Sequence, residues 1–226
     1  MNGRAFANRT EAGRALARRL VTMALPPPVV VLALPRGGVP VAAVVARALD
    51  APLDLLLVRK IGAPWQPELA VAAVVDGDPP DIVIDELTSR LSGVDEAYVQ
   101  KQAAQELREI ERRRQVYMQG RAPVSVKGAT VVVVDDGVAT GTTIRAAIKA
   151  LRRRQPARLV LAVPVAPADT VAALSQEADE VVCLAQPEPF HAIGLHYGDF
   201  HQVPDEEVLA ALAAAKQRGP AAGLPS

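Results

Sequence analysis

Two adjacent carboxylates and a segment rich in glycine and threonine follow one strongly apolar stretch of the chain. Residues 129–134 are apolar apart from one threonine, and Asp135 and Asp136 come directly after them. The next residues are Gly137, Val138, Ala139, Thr140, Gly141, Thr142 and Thr143. Glycines let successive backbone N–H groups turn inward around an anion, and threonine hydroxyls add further donors. This segment therefore predicts a phosphate-binding loop, and a helix beginning after it would present its positive end.

The two carboxylates have the wrong sign for a phosphate and need another partner. Asp135 and Asp136 could accept hydrogen bonds from a vicinal diol or face a hydrated Mg²⁺ ion. Ribose 5-phosphate carries a diol and a phosphate within one small molecule, which fits the pair and the loop together. Rival phosphate motifs fit badly, because Gly141 is followed by threonine instead of lysine and no Gly-x-Gly-x-x-Gly occurs here. The alternative interpretation is a plain turn with helix-capping aspartates.

Cationic residues follow two other apolar stretches. Arg36, Gly37 and Gly38 follow residues 29–34, and Arg59 and Lys60 follow residues 53–58. Arg36 offers a permanently charged fork for phosphate oxygens, and the glycines allow close approach of the backbone. Each group alone could be an ordinary turn or a solvated strand end. Together, Arg36, Arg59 and Lys60 would oppose a ligand with several negative charges.

Strands and helices alternate along the chain. The predicted strands are residues 29–34, 53–58, 82–84, 129–134, 159–165 and 180–184, and the predicted helices are 10–24, 41–49, 95–118, 142–154 and 168–177, with a loop at 59–67. Apolar runs without polar alternation are typical of parallel strands buried on both faces. The sequence therefore predicts an α/β fold with a mainly parallel, doubly wound sheet flanked by helices. In such sheets ligands bind at the carboxyl ends of the strands, where the loop of residues 135–143 would lie.

Bulk composition limits the classes of function. The 226 residues, half of them hydrophobic, predict a single domain over residues 1–226, with a disordered tail at 217–226. Lys and Arg equal Asp and Glu at 25 each, which argues against a nucleic-acid partner. One cysteine excludes a disulfide within the chain. We find no signal peptide and no apolar segment of membrane-spanning length, and we expect a cytoplasmic protein without a membrane partner.

Residues 135–143 resemble the 5-phosphoribosyl 1-diphosphate loop of the type I phosphoribosyltransferases. Residues 29–184 are similar in element order to the core of that family. The chain resembles more closely a bacterial group of phosphoribosyltransferase-like proteins of unassigned substrate. That group shares Asn8-Arg9-x-x-Ala12-Gly13, Arg36-Gly37-Gly38-Val39-Pro40, Arg59-Lys60-x-Gly62-x-Pro64 and the segment from Phe190 to Tyr197.

The resemblance implies a transferase that moves the 5-phosphoribosyl group of 5-phosphoribosyl 1-diphosphate to an unidentified nitrogenous base or related acceptor, releasing diphosphate. It implies Mg²⁺ bound with the diphosphate near Asp135 and Asp136, without a direct protein ligand. The implied catalytic residues are Asp135, Asp136, Arg36 and Lys60, and the implied substrate-binding residues are Gly37, Gly38, Arg59, Gly137, Val138, Ala139, Thr140, Gly141, Thr142 and Thr143. It also implies a cis peptide between Pro35 and Arg36, a small hood from the N-terminal segment and residues 185–212, and is compatible with a homodimer. The alternative is a regulatory protein that senses the same diphosphate without turnover.

The acceptor is less defined. Many family members acting on 6-oxopurines carry an acid where this chain has Ala139, so the resemblance argues against such a substrate. Phe190, Tyr197 and Phe200 could stack on a base or simply pack a small subdomain. The histidines at 191, 196 and 201 do not have a usual zinc spacing and are interpreted as structural or surface residues.

Overall fold

The computed structural model describes residues 5–77 and 79–216. The elements in chain order are α1 (Arg9–Val21), β1 (Val29–Ala33), α2 (Gly38–Ala48), β2 (Leu53–Leu55), β3 (Val58–Ala63), β4 (Gln66–Val75), β5 (Asp81–Ile84), α3 (Glu86–Leu91), α4 (Glu96–Met118), β6 (Thr130–Val134), α5 (Thr142–Arg153), β7 (Arg158–Val165), α6 (Ala168–Leu174), β8 (Glu180–Ala185), a 3₁₀ turn (Ile193–His196) and α7 (Asp205–Lys216). The chain divides into two compact units, and each unit has its own sheet.

The first unit contains a five-stranded parallel sheet. It comprises the described residues up to 55, residues 124–140 and the described residues from 155 onward. The strand order is β2-β1-β6-β7-β8, and every residue of the central strand β6 is buried. Strands of this kind need no polar alternation, because neither face meets water. The prediction of an α/β fold with a parallel sheet flanked by helices is confirmed.

Helices α1 and α2 pack closely together in this unit. A Cβ at Gly13 of α1 would lie 2.9 Å from the carbonyl oxygen of Val41 in α2. The absence of a side chain at Gly13 therefore permits this close approach. Asn8 caps α1 by accepting a hydrogen bond from the backbone N–H of Glu11 at 3.0 Å. The cap fixes the residue at which α1 begins, and the packing fixes the position of α1 against α2.

The second unit contains residues 56–123 and 141–154, with an antiparallel sheet in the order β3-β4-β5. The loop predicted at residues 59–67 is wrong, because β3 and β4 form a hairpin that turns at residues 64 and 65. The strand predicted at residues 53–58 is interrupted as well, since β2 ends at Leu55 and β3 begins at Val58. Ile61 and Val71 of the hairpin are buried with Val99 and Ile110 of α4. The hairpin is therefore stabilised by its packing against α4, a contact that local sequence does not reveal.

Several boundaries differ from the predicted ones. The first helix ends at Val21, and Ala24 adopts a left-handed φ of 47°. Helix α6 ends at Leu174, whereas α3, the 3₁₀ turn and α7 were not predicted. The predicted disordered tail, residues 217–226, lies outside the described residues. Within the part of the chain that the structure describes, no helix is long and apolar enough to cross a membrane.

Candidate functional site

Two loops of the first unit leave the same edge of the sheet side by side. Strands β1 and β6 are parallel neighbours in which Ala33 pairs with Val134, and the N–H of Leu34 donates to the carbonyl of Val134 at 3.0 Å. The loop after β1 therefore lies against the loop after β6. This contact brings the segment of Arg36, Gly37 and Gly38 to the carboxylates at the carboxyl ends of the two strands. The peptide bond between Pro35 and Arg36 is cis, which confirms that expectation.

The glycines of the first loop make room for the carboxylates of the second. A Cβ at Gly37 would lie 2.6 Å from Cγ of Asp136, and a Cβ at Gly38 would lie 2.9 Å from Cα of Asp135. Real Cβ atoms essentially never approach so closely. Gly37 also precedes α2 as its N-cap, and Gly38 is the first residue of that helix. The close approach that these glycines allow within the protein is thus to Asp135 and Asp136.

Asp136 is held at both its side chain and its backbone. It is only 8% exposed, and its Oδ2 accepts a hydrogen bond from Nε of Arg9 at 2.8 Å. Its carbonyl oxygen accepts a hydrogen bond from the hydroxyl of Tyr197 at 2.5 Å. Burial raises the pKa of the Asp136 carboxyl, and the hydrogen bond and charge of Arg9 oppose that rise. Arg9 is therefore the counter-ion that compensates for burying this charge.

Asp135 lies in different surroundings. Its side chain is half-buried, and its Oδ1 accepts a hydrogen bond from the backbone N–H of Asp136 at 2.8 Å. Burial, and after it the negative charge of Asp136, raises the pKa of Asp135 well above its ordinary value. The pKa of both adjacent acids is therefore raised, and for Asp135 the charge of its neighbour adds to the effect of burial.

The rest of the loop divides into a buried and an exposed part. Gly137 and Val138 are buried, and the N–H of Val138 donates to the carbonyl of Val165 at 2.9 Å. Ala139 and Thr140 are exposed, and the carbonyl of Ala139 accepts a hydrogen bond from the Thr170 hydroxyl at 2.8 Å. The exposed part is thus the part of the loop that a ligand could reach from solvent.

The last three residues of the motif belong to the second unit. Gly141 precedes α5 with a left-handed φ of 75°, a conformation that favours glycine. Thr142 is exposed and Thr143 is half-buried in the first turn of α5. The predicted helix after the loop is confirmed, together with the conformational reason for a glycine at its N-terminus.

Two of the three predicted cations, Arg36 and Arg59, have acidic partners inside the protein. In the first unit, Nη1 of Arg36 lies 3.6 Å from Oδ1 of Asp205 in α7. In the second unit, Nε of Arg59 donates to Oε2 of Glu106 in α4 at 2.6 Å, and Lys60 is exposed. An anionic ligand at Arg36 or Arg59 would have to compete with these carboxylates. Among residues 5–77 and 79–216, no cluster of three or more His, Cys, Asp or Glu residues is arranged to hold a metal ion.

The aromatic residues near the C-terminal part of the first unit pack against one another. The Tyr197 ring is buried between Phe6 and Phe200, with ring centroids 5.6 and 5.1 Å away. The guanidinium carbon of Arg9 lies 3.9 Å from the Phe200 ring centroid. Tyr197 thus packs the protein interior. Sequence reasoning singled out neither Arg9 nor Asp205 as a site residue, although Arg9 stands in the shared Asn8-Arg9 opening.

The five-stranded parallel sheet, whose central strand is followed by two carboxylates and a Gly/Thr loop, has the architecture of the α/β class in which ligands bind at the carboxyl ends of the strands. The chain matches the phosphoribosyl transferase domain family over residues 8–196. It is 45% identical over 207 residues to two Mycobacterium tuberculosis proteins, "Putative phosphoribosyl transferase MT0597" of strain CDC 1551 and "Putative phosphoribosyl transferase Rv0571c" of strain H37Rv. These alignments cover 92% of this chain and 46% of each relative, so the chain spans less than half the length of these relatives.

A solved structure is also similar to this chain. The crystal structure of TT1426 from Thermus thermophilus is 43% identical, with a TM-score of 0.81 over 92% of this chain and 98% of that one. The chain therefore belongs to the phosphoribosyl transferase domain family, and the resemblance found from its sequence is confirmed.

Proposed function

We propose that the protein transfers the 5-phosphoribosyl group of 5-phosphoribosyl 1-diphosphate to a nitrogenous base or related acceptor, with release of diphosphate. One observation carries the proposal. Asp135 and Asp136 follow the central strand, begin a Gly/Thr loop, and lie against the loop that contains Arg36. This arrangement offers acceptors for sugar hydroxyls, donors for a phosphate and a cation for the leaving group.

The carboxylates would recognise the ribose. The contacts described above engage one oxygen of each acid, Oδ1 of Asp135 and Oδ2 of Asp136. The second oxygen of each carboxylate would accept a hydrogen bond from a ribose hydroxyl, which is a charge-assisted bond of the stronger kind. The segment of residues 137–143 is assigned to the 5-phosphate. Sugar and phosphate would then be fixed by neighbouring residues of one loop.

The leaving diphosphate is assigned to cations. Arg36 would exchange its 3.6 Å contact with Asp205 for phosphate oxygens. Arg59 and Lys60 are assigned to the same group through the family resemblance. The carboxylate oxygens of Asp135 and Asp136 would accept hydrogen bonds from the water shell of Mg²⁺. The ion would enter with the diphosphate and neutralise part of its charge.

The transfer requires positioning more than a protein nucleophile. The bond between ribose C1 and the diphosphate oxygen breaks, a bond from C1 to the acceptor nitrogen forms, and that nitrogen loses its proton. Positive charge develops on the sugar, so carboxylates beside the ring stabilise it while Arg36 stabilises the departing anion. The residues of the site therefore bind and orient both halves of the donor.

The test is diphosphate release in the presence of 5-phosphoribosyl 1-diphosphate, Mg²⁺ and a panel of bases. We expect release with at least one acceptor, and slower release with hypoxanthine or guanine because Ala139 replaces the acid of many 6-oxopurine enzymes. Arg36→Ala should lower turnover more than it weakens binding of ribose 5-phosphate, whereas Arg47→Ala, an exposed arginine of α2, should change neither. Tight binding without release for any acceptor would favour the regulatory, non-catalytic alternative instead.

A further inference from the structure

Arg9 is a buried arginine that joins three separate parts of the first unit. It is 7% exposed although it is the first residue of α1. Its Nε donates to Oδ2 of Asp136 at 2.8 Å, its Nη1 donates to the carbonyl of His201 at 2.8 Å, and its guanidinium lies over Phe200. A guanidinium offers several donors in a rigid plane and can satisfy these contacts at once, which an ammonium cannot.

The backbone around Arg9 is fixed to the same segment that it contacts. The N–H of Phe6 donates to the carbonyl of His196 at 3.0 Å, and the N–H groups of Gly198 and Asp199 donate to the carbonyls of Phe6 and Ala7, both at 2.7 Å. The neighbouring Tyr197 in turn donates to the backbone of Asp136. The position of Arg9 relative to Asp136 is therefore set by paired backbone and does not depend on its side chain alone.

We propose that Arg9 is a positioning residue of the ribose site, which engages Oδ2 of Asp136 so that Oδ1 is presented to a sugar hydroxyl. This inference rests on the proposed function. Three observations support it: the 2.8 Å bond, the burial of both partners, and Gly37, whose missing side chain makes room for the Asp136 carboxylate in the position where Arg9 holds it. A buried carboxylate without a partner is strongly disfavoured, so Arg9 also allows Asp136 to stay charged beside the charged Asp135.

Loss of Arg9 should damage recognition of the hydroxyls more than recognition of the phosphate. Isothermal titration would compare ribose 5-phosphate with its 2-deoxy and 3-deoxy analogues. We expect the wild type to bind ribose 5-phosphate more tightly than at least one of the two deoxy analogues. Arg9→Met should bind ribose 5-phosphate about ten- to a hundredfold more weakly than the wild type and should lose the wild-type preference for ribose 5-phosphate over that analogue. The affinity and preference of Arg9→Lys should lie between those of the wild type and Arg9→Met, because lysine retains the charge but not the second hydrogen bond.

Two control variants separate positioning from general loosening. Arg14→Met removes an exposed arginine from the same helix and should change neither melting temperature nor ligand preference. Thr130→Val removes the partly buried bond from the Thr130 hydroxyl to the Pro26 carbonyl at 2.6 Å, at the opposite end of β6. It should lower the melting temperature without altering the preference for ribose over deoxyribose. If Arg9 acts through Asp136, the double variant Arg9→Met/Asp136→Asn should show the same preference as Asp136→Asn.

Each outcome is decisive. Retention of the wild-type preference by Arg9→Lys and Arg9→Met, with only a lower melting temperature, would overturn the inference and leave the proposed function standing. A wild type that binds ribose 5-phosphate and its deoxy analogues equally well would also overturn it. Failure of the wild type to bind ribose 5-phosphate or its diphosphate would overturn the proposed function and this inference together. If Arg9→Met does not fold, Arg9→Lys decides the question, because wild-type preference in that variant would overturn the inference.

Discussion

At the scale of single residues, two adjacent acids of the same type have unequal environments. Asp136 has a guanidinium partner at 2.8 Å, whereas the described hydrogen bond of Asp135 is to a backbone N–H. Their pKa values are raised by burial, but only for Asp135 does the neighbouring carboxylate add to the rise as the second cause. Arg9 thus offsets part of the free-energy cost of charging Asp136, whereas the charge of Asp136 adds to the cost of charging Asp135.

This inequality predicts that Asp135→Asn stabilises the protein while weakening the ligand site. A carboxyl whose pKa is raised on folding favours the folded state at pH values below its unfolded pKa, and that contribution is lost as pH rises through the folded pKa. Asparagine retains the oxygen that accepts from Asp136 without the charge. At pH 7.5 we expect a melting temperature several degrees higher than wild type, since about 1 kcal/mol corresponds to about 2–4 °C in a chain of this size.

The gain should shrink as the pH is lowered towards 4.5, and affinity for ribose 5-phosphate should fall about tenfold at pH 7.5. Differential scanning fluorimetry and titration calorimetry on the same preparations measure both effects. A variant that is less stable than wild type at pH 7.5 would contradict the assigned environment of Asp135.

Gly37→Ala should disturb the same loop from the opposite side. Its Cβ would overlap the carboxylate of Asp136, which is held by Arg9 and cannot simply rotate away. We expect destabilisation by about 1–3 kcal/mol, typical of overpacking, and a loss of ribose 5-phosphate binding. Urea denaturation and calorimetry check the two effects. Gly62→Ala is the comparison, because its Cβ would meet the backbone of Pro67 in the second unit and not a carboxylate.

At the scale of secondary-structure elements, the sequence predicts the strands that are buried along almost their whole length. Strands β1, β6 and β7 consist mostly of Val, Leu and Ala and are buried apart from the first residues of β1 and β7, so their apolar character does not depend on what packs against them. The β3–β4 hairpin was missed because Arg59 and Lys60 interrupt its apolar pattern, and the packing partner that compensates lies in the distant α4. The local sequence pattern therefore predicts strands that are buried on both faces, and it does not predict strands that have one exposed face.

The same limit explains why the loop of residues 135–143 was found and Arg9 was not. The loop carries its chemistry in consecutive residues, so a short motif reveals it. Helix α1 contains Arg9, Arg14, Arg18 and Arg19, and nothing in their spacing distinguishes the buried one from the exposed three. Arg9 differs only through partners 127 and 192 residues away.

Helix α1 supplies a prediction because its cap positions Arg9. Asn8→Ala removes a side-chain bond to the backbone N–H of Glu11 and should lower stability by about 0.5–2 kcal/mol. Asp95→Ala removes the equivalent cap of α4, a 2.8 Å bond to the N–H of Tyr98, and should cost a similar amount. We expect weaker ribose 5-phosphate binding only for Asn8→Ala, because fraying of α1 also loosens Arg9. Equal effects of the two variants on binding would contradict a specific role for α1.

Helix α7 supplies a pH-dependent prediction. The His201 ring lies 3.0 Å from Oε2 of Glu207 in α7 and 3.0 Å from Oδ1 of Asp199, and these carboxylates raise the pKa of the imidazole. A histidine whose pKa is raised on folding stabilises the protein below its unfolded pKa and loses that contribution as pH rises through the folded pKa. His201→Gln should therefore lower the melting temperature at pH 5.5–6 and change it little at pH 9. A deficit that is equally large at pH 9 would mean that the ring acts by packing instead of charge.

At the scale of the whole molecule, the balance of charge limits the partners. Positive and negative side chains are equal in number, and the arginine run of α4 is paired, with Arg112 and Arg113 bound to Glu109 and Arg114 bound to Asp76. We expect no binding to a 20-base-pair duplex or a single-stranded RNA at 150 mM salt, with Kd weaker than about 0.1 mM. Fluorescence anisotropy measures it. Binding that weakens steeply with added salt would reveal a basic surface that the net charge conceals.

The pairing of residues 6–9 with residues 196–201 also has a consequence for biosynthesis. A ribosome releases Asp136 long before His201, yet the arginine that accompanies Asp136 is held by the carbonyl of His201 across 192 residues. Contacts of such long sequence separation form late, because their loop-closure entropy is overcome only after local structure exists. A nascent chain that ends before residues 196–201 would thus carry an acidic loop whose arginine lacks the bond to the His201 carbonyl. Under the proposed function, full affinity for a sugar phosphate would arise only when the later segment docks, so that an unfinished chain would hold the ligand less tightly.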